Sequence, residues 1–350
     1  MSAANSTPGD SPLRHLGPAW FSIVMGLCGL SLAWHRAAVS LGPAAHAFAL
    51  GVGVLAAAVF TVLVLGGLLR WLRHADAVRE DLRHPVRHAF FAAVPVSLML
   101  LATVGVSFDA PRPLWSVLWA LACVLQLGVT AWVLGRWLGS RDATPGALWS
   151  GVTPVLFIPV VGNVVAPLAG APLGHAAWSV AQLGIGVFFW PVVLTLVLVR
   201  RLSHSPLPPR LLPSWCILLA PPAVVSLALL QLGAPQPAVL GVWGVWGVGA
   251  FTLLWLIPLA PRLREVPFGL PWWALSFPLA AFTTLTLRLA QSLPEPGAMG
   301  LLAWALLALA TGVIGGLCAA TVRGLWRGEL LVPEPVPPAA AAAQAARSTP

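Results

Sequence analysis

The chain has 350 residues, of which 59% are hydrophobic and 8% charged. A soluble globular chain carries about a quarter charged residues, so that class is excluded and a multi-pass membrane protein is indicated. The net charge of +9 contains no lysine, and arginine carries every formal positive charge. Its placement in short loops between apolar runs argues against nucleic acid as a partner.

About 20 apolar residues cross the hydrocarbon core. Runs of that kind give ten predicted spans, at 17–34, 46–69, 86–107, 114–138, 148–168, 176–199, 211–231, 238–260, 271–291 and 298–322. The first follows Arg14 and His15 but lacks a clear small-residue cleavage site, so it reads as a span and not as a signal peptide. Residues 1–12 and 329–350 read as low-complexity tails around one transmembrane domain, 13–328. Of the 19 arginines, 16 fall in segments that alternate onto one side, only Arg36 and Arg112 fall in loops on the other, and Arg288 lies within a span. Cytoplasmic loops hold the excess of arginine, so both termini are expected in the cytoplasm of a bacterial-type inner membrane.

Proline divides the spans into two kinds. The odd ones carry Pro18; Pro85 and Pro95; Pro154, Pro159 and Pro167; Pro213, Pro221 and Pro222; and Pro271 and Pro278, whereas the even ones have only Pro191 and Pro258. Odd spans begin roughly every 60 to 70 residues, which marks five helical hairpins repeated in parallel about an axis along the membrane normal. Proline frees a carbonyl and bends a helix, and a freed group is tolerated inside protein or beside a watery cavity, not against lipid. The expected fold is therefore all-α, with five odd helices kinked at Pro95, Pro159, Pro221 and Pro278 around a central pore. Straighter even helices face lipid.

No acidic residue lies in a predicted span. A carboxylate-coupled pump or an acidic-ring cation channel would need one there. Arg288, near the outer end of the ninth span, either snorkels to headgroups or raises the anion concentration at an outer vestibule. His84 and His88 have i, i+4 spacing without the Glu of an H-E-x-x-H motif, so they are expected to cap the cytoplasmic mouth and not to hold a metal. Cys28, Cys123, Cys216 and Cys318 lack C-x-x-C spacing and read as packing residues. Gly241, Gly244 and Gly247, interleaved with Trp243 and Trp246, suggest close helix approach. No nucleotide-binding loop follows a strand, and neither cofactor nor catalytic cluster is predicted. Phenylalanines recur at comparable depth in odd spans: Phe21, Phe90 and Phe91, Phe157 and Phe277. A phenyl ring on a narrow axis closes it sterically and by dewetting; the alternative for each is ordinary packing.

Four stretches, "GPAWFSIVMGLCGLSLAWHRAA", "RHPVRHAFFAAVPVSLMLLA", "FIPVVGNVVAPLAG" and "WWALSFPLAAF", together resemble the tellurite-resistance/C4-dicarboxylate transporter family, which includes TehA-type proteins and the slow anion channels of plant guard cells. The resemblance spans about 14 to 325. It implies ten helices in five hairpins around a pore, a homotrimer with one pore per subunit, and small anions as the cargo. In that family a phenylalanine of the ninth helix occludes the pore, and "SFP" puts that role on Phe277. Phe21, Phe91 and Phe157 are the implied further pore residues. The seventh span, "SWCILLAPPAVV", has no phenylalanine, and the short tails lack the phosphorylatable extensions of the plant channels. The implied activity is an anion channel or uniporter. The alternatives are a secondary carrier for C4-dicarboxylates, sulfite or another oxyanion, and an integral membrane enzyme, for which only His84 and His88 come close to a cluster.

Overall fold

The computed structural model describes residues 11–138, 147–233 and 236–333; the parts of the expected tails at 1–10 and 334–350 lie outside them. Among the described residues every regular element is helical. The α-helices are α1 Phe21–Leu41, α2 Pro43–Arg73, α3 Ala75–Arg83, α4 Ala93–Ser107, α5 Arg112–Leu138, α6 Ala166–Gly170, α7 Ala176–Ser203, α8 Ala220–Gln231, α9 Gln236–Leu256, α10 Ala260–Arg264, α11 Ser276–Ala290 and α12 Gly297–Trp326. Turns of 3₁₀ helix directly precede six of them: Pro18–Trp20 before α1, Arg87–Ala92 before α4, Gly162–Val165 before α6, Pro209–Leu219 before α8, Ile257–Leu259 before α10 and Leu270–Leu275 before α11.

Among the described residues, nine segments are long and apolar enough to cross a membrane, not ten. The fifth, Pro154–Gly170, is shorter. It breaks into a 3₁₀ turn (Pro154–Leu156), a π turn (Phe157–Val161), a second 3₁₀ turn (Gly162–Val165) and α6. Pro154, Pro159 and Pro167 lack the N–H that regular winding needs, so no continuous α-helix forms there.

The other three prolines expected as kinks sit in the first turns of their α-helices, whereas Pro191 lies inside α7. Pro95 and Pro278 are the third residues of α4 and α11, and Pro221 is the second of α8. A first-turn N–H has no intrahelical acceptor, so proline costs no hydrogen bond there. The irregularity of each odd segment is thus a switch from 3₁₀ to α winding, with proline marking the switch.

Burial separates the two kinds of segment. In the first, third, seventh and ninth, 67–78% of the most apolar stretch is buried in the protein, against 17–33% in the even ones. The odd segments also close on one another: α1 packs on α4 and α11, α4 on the broken segment, that segment on α8, and α8 on α11. Each even helix lies on the odd segment before it. Exposed side chains such as Leu65, Val117, Phe188, Leu254 and Leu301 cover the even helices, as a lipid-facing surface requires.

One further expectation is corrected. A side chain at Gly241, Gly244 or Gly247 would meet nothing within 4 Å, so these glycines do not mediate close approach within the chain. Tight contacts occur at other glycines, among them Gly26 and Gly29 of α1, where a Cβ would run into Ser276 and, at 2.9 Å, Ala280 Cβ of α11. Asp76, Glu80 and Asp81 lie on the short helix α3.

That helix closes the arginine-rich end of the bundle. Arg70, 5% exposed, places Nη1 2.8 Å from Oδ2 of Asp81, 1% exposed, and Arg87 Nη1 donates to Asp81 Oδ1 at 2.8 Å. Arg70 Nε donates to the Arg14 carbonyl at 2.9 Å, and Arg14 pairs with Asp76 at 2.7 Å. His84 Nδ1 accepts from the Val86 and Arg87 N–H groups at 3.1 Å each, capping the 3₁₀ turn of the third segment. His88 Nδ1 lies 2.9 Å from the His84 carbonyl.

Candidate pore and its lining

A cavity of about 70 Å³ lies within the ring of odd segments, and all five contribute to its wall while no even helix does. The winding of these segments decides which residues face it. In a 3₁₀ helix residues i and i+3 eclipse one another, so a wall built from one carries every third residue in a row along its axis. Part of the lining follows that period: Leu211, Ser214, Ile217 and Ala220 from the seventh segment and Pro271, Ala274 and Phe277 from the ninth. Val155, Ile158, Val161 and Val164 of the fifth share the spacing although Phe157–Val161 is a π turn, and Phe157, Gly162, Leu270 and Trp273 line the cavity off that row. Ser22 and Met25, also three apart, come from the first, and Phe90 and Val96 from the third.

The wall is apolar. Its hydroxyls, Ser22 and Ser214, donate to carbonyls of their own turns, Ala19 at 2.5 Å and Leu211 at 2.6 Å. At about 15 Å³ for each water, the cavity has room for roughly five. A cavity this small and apolar resists wetting.

Phe277, 7% exposed, stands at the end of the lining along its own segment: Pro278 is the last residue of the ninth to touch the cavity. Phe157, 3% exposed, also lines it. The structure does not bring Phe21 and Phe91 into this wall. The Phe21 ring lies edge-on to Phe60 of α2, with centroids 5.6 Å apart, and Phe91 lies edge-on to Trp132 of α5 at 6.3 Å. Phe90 takes the place expected of Phe91, and Ile217 fills the position left open in the seventh segment.

Side chains of even helices hold the irregular backbone. Gln126 Nε2 of α5 donates to the Ile158 and Pro159 carbonyls at 3.1 and 3.0 Å, and Thr130 Oγ1 lies 2.6 Å from the Pro159 carbonyl. Asn163 Nδ2 donates to Thr130 Oγ1 at 2.9 Å and to the Val160 carbonyl at 3.1 Å. These groups satisfy in the protein interior what lipid could not. Trp119 Nε1 donates to the Ala166 carbonyl at 2.9 Å, and Trp273 Nε1 to Thr321 Oγ1 at 2.9 Å. Across the ring, Ser97 Oγ donates to the Phe21 carbonyl at 3.0 Å.

Arg288 lies away from the cavity wall. Its Nη2 donates to the Leu230 carbonyl at 3.0 Å and its Nη1 to Gln231 Oε1 at 3.2 Å, at the C-terminal end of α8. There a cation complements the unpaired carbonyls. Cys28 and Cys123 are fully buried, and all four cysteines are free. Among the described residues no group of three or more His, Cys, Asp or Glu could hold a metal ion.

These features define a multi-pass helical membrane protein with an apolar cavity among its inner segments. The chain matches the family described as SLAC1, voltage-dependent anion channel, over residues 15–322, and belongs to it. It is 28% identical to the S-type anion channel SLAH2 of Arabidopsis thaliana over 63% of this chain and 41% of the plant protein, so it spans about two fifths of that relative's length. It is 28% identical to a tellurite resistance protein TehA homolog of Haemophilus influenzae, over 76% of this chain and 79% of the relative. Identity to an uncharacterised transporter of Methanocaldococcus jannaschii is 25%, over 77% and 82%.

Proposed function

We propose that this protein passes small anions across a bacterial-type inner membrane through the cavity of each subunit, as a channel or uniporter restricted by Phe277. The carrying observation is that one apolar cavity touches all five odd segments and runs, along the ninth, only as far as Phe277 and Pro278. In this reading ten helices form five parallel hairpins in pseudo-fivefold order, the termini and the arginine-rich end face the cytoplasm, and the chain assembles as a homotrimer.

The lining offers an anion no fixed charge. Weak stabilisation comes from backbone dipoles where winding changes from 3₁₀ to α, and weak binding favours passage over retention. Phe277, with Phe157 below it, supplies steric closure and dewetting. Arg288 acts at a distance, through its field at the outer mouth, while it secures α8.

Reconstitution into planar bilayers with anion substitution tests this reading. The reversal potential should follow the anion gradient, without a pH gradient, at a flux above carrier turnover. Flux that saturates at carrier rates and needs a proton gradient would favour the secondary-carrier reading for dicarboxylates or oxyanions.

A further inference from the structure

A second cavity, of about 530 Å³, lies outside the ring of odd segments, at the arginine-rich end. Its walls come from the end of α7, the approach to the seventh segment, and the end of α9 with α10. Leu202, Leu207, Trp215, Trp255 and Leu259 form an apolar cleft, and Arg201 and Arg262 stand on its wall. Its volume is that of a ligand cleft.

We propose that this cleft binds an anionic phospholipid from the leaflet at the arginine-rich end, with its phosphate between Arg201 and Arg262 and an acyl chain along the leucines and tryptophans. Three observations converge on that occupant. First, among the described residues the side chains of Arg201 and Arg262 make no hydrogen bond or ion pair, and no carboxylate lines the cleft. Both guanidinium groups are exposed on the wall of one cleft that no described carboxylate lines, so the cleft carries net positive charge, and the planar fork suits a phosphate. Second, the cleft opens between two helices that face hydrocarbon: Leu202 is 86% exposed and Trp255 48%. Tryptophan and arginine at the end of a span mark headgroup depth, where a basic pocket between helices fits an anionic headgroup. Third, charge disfavours a second copy of this chain as the occupant. The same end of another copy is itself rich in arginine, and its α3 carboxylates are already held by Arg14, Arg70 and Arg87.

The test is lipid retention by the full chain, purified in detergent and titrated with phosphatidylglycerol or phosphatidylcholine while bound lipid is counted by native mass spectrometry. Phosphatidylglycerol should bind the unaltered protein more tightly. Arg201→Gln with Arg262→Gln should weaken it about tenfold to thirtyfold, from roughly fivefold for each arginine near a membrane surface. Arg201→Lys with Arg262→Lys should keep most of the preference, and Arg264→Gln, outside the cleft, should leave it unchanged. Equal retention of the two lipids by the unaltered protein would overturn the proposal without any variant. So would phosphatidylglycerol binding that survives the double glutamine change, displacement of the lipid by inorganic phosphate at equal concentration, or a changed oligomer mass in place of lost lipid.

Discussion

The third and fourth segments are neighbours in the chain and similar in hydropathy, at 2.2 and 2.1, yet 78% of the first is buried and only 33% of the second. Hydropathy alone therefore does not separate inner from outer helices in this protein. What separates them is backbone regularity. The outer α5 satisfies its own backbone and can face lipid, and it spends Gln126 and Thr130 on the carbonyls of the broken segment beside it. The inner segments change winding partway and must lie where neighbours complete their hydrogen bonds.

The largest effect that would break this division lies at the arginine-rich end. Asp81→Asn leaves Arg70 and Arg87 without their shared buried carboxylate and should cost about 3–5 kcal/mol, seen as a lowered thermal midpoint in detergent. An unchanged midpoint would remove α3 as a fastening of the ring. Next comes Gln126→Leu. Its loss strands the buried Ile158 carbonyl and leaves that of Pro159 to Thr130 alone, and about 1–3 kcal/mol of destabilisation is expected by the same measurement, with Thr130→Val smaller. Paired glycine changes sharpen the comparison: Gly29→Ala should cost about 1–3 kcal/mol through overpacking against α11, while Gly244→Ala on α9, which faces open space, should be neutral within about 0.5 kcal/mol. Equal costs at the two would erase the distinction between inner and outer helices.

The smallest effect is a pH dependence. The hydrogen bond from Arg87 holds the Glu80 carboxyl below its ordinary value. A lowered carboxylate value contributes stability that is present above the unfolded pKa and lost as pH falls through the folded one. Stability should therefore decline on acidification below the ordinary carboxylate range, and Glu80→Gln should flatten that decline slightly, because the pair is largely exposed. An acid limb identical in the variant would dismiss the contribution.

Much of this was legible in the chain. Proline on alternate runs marked the buried segments, and the absence of carboxylates from spans matched an apolar wall. The lining is less legible, because comparable depth of phenylalanine along the odd spans does not fix which side of a segment faces the cavity. With every third residue in register, Leu211, Ser214, Ile217 and Ala220 form one stripe, a pattern present in the sequence once 3₁₀ winding is assumed. The same ambiguity of side exchanges Phe91 for Phe90. The fifth segment failed as a full span because three closely spaced prolines shorten it, which counting apolar residues does not register. Gly29 and Gly244 look alike in sequence, and only the tertiary neighbours distinguish them.

The central claim is that an anion path runs among the inner segments and is restricted at Phe277. Single-channel or macroscopic current through reconstituted Phe277→Ala tests it most directly. Removing the ring should raise anion conductance by about tenfold, equivalent to a barrier lowered by about 1.4 kcal/mol, with anion over cation selectivity retained. A folded variant whose current equals that of the unaltered protein would contradict the claim.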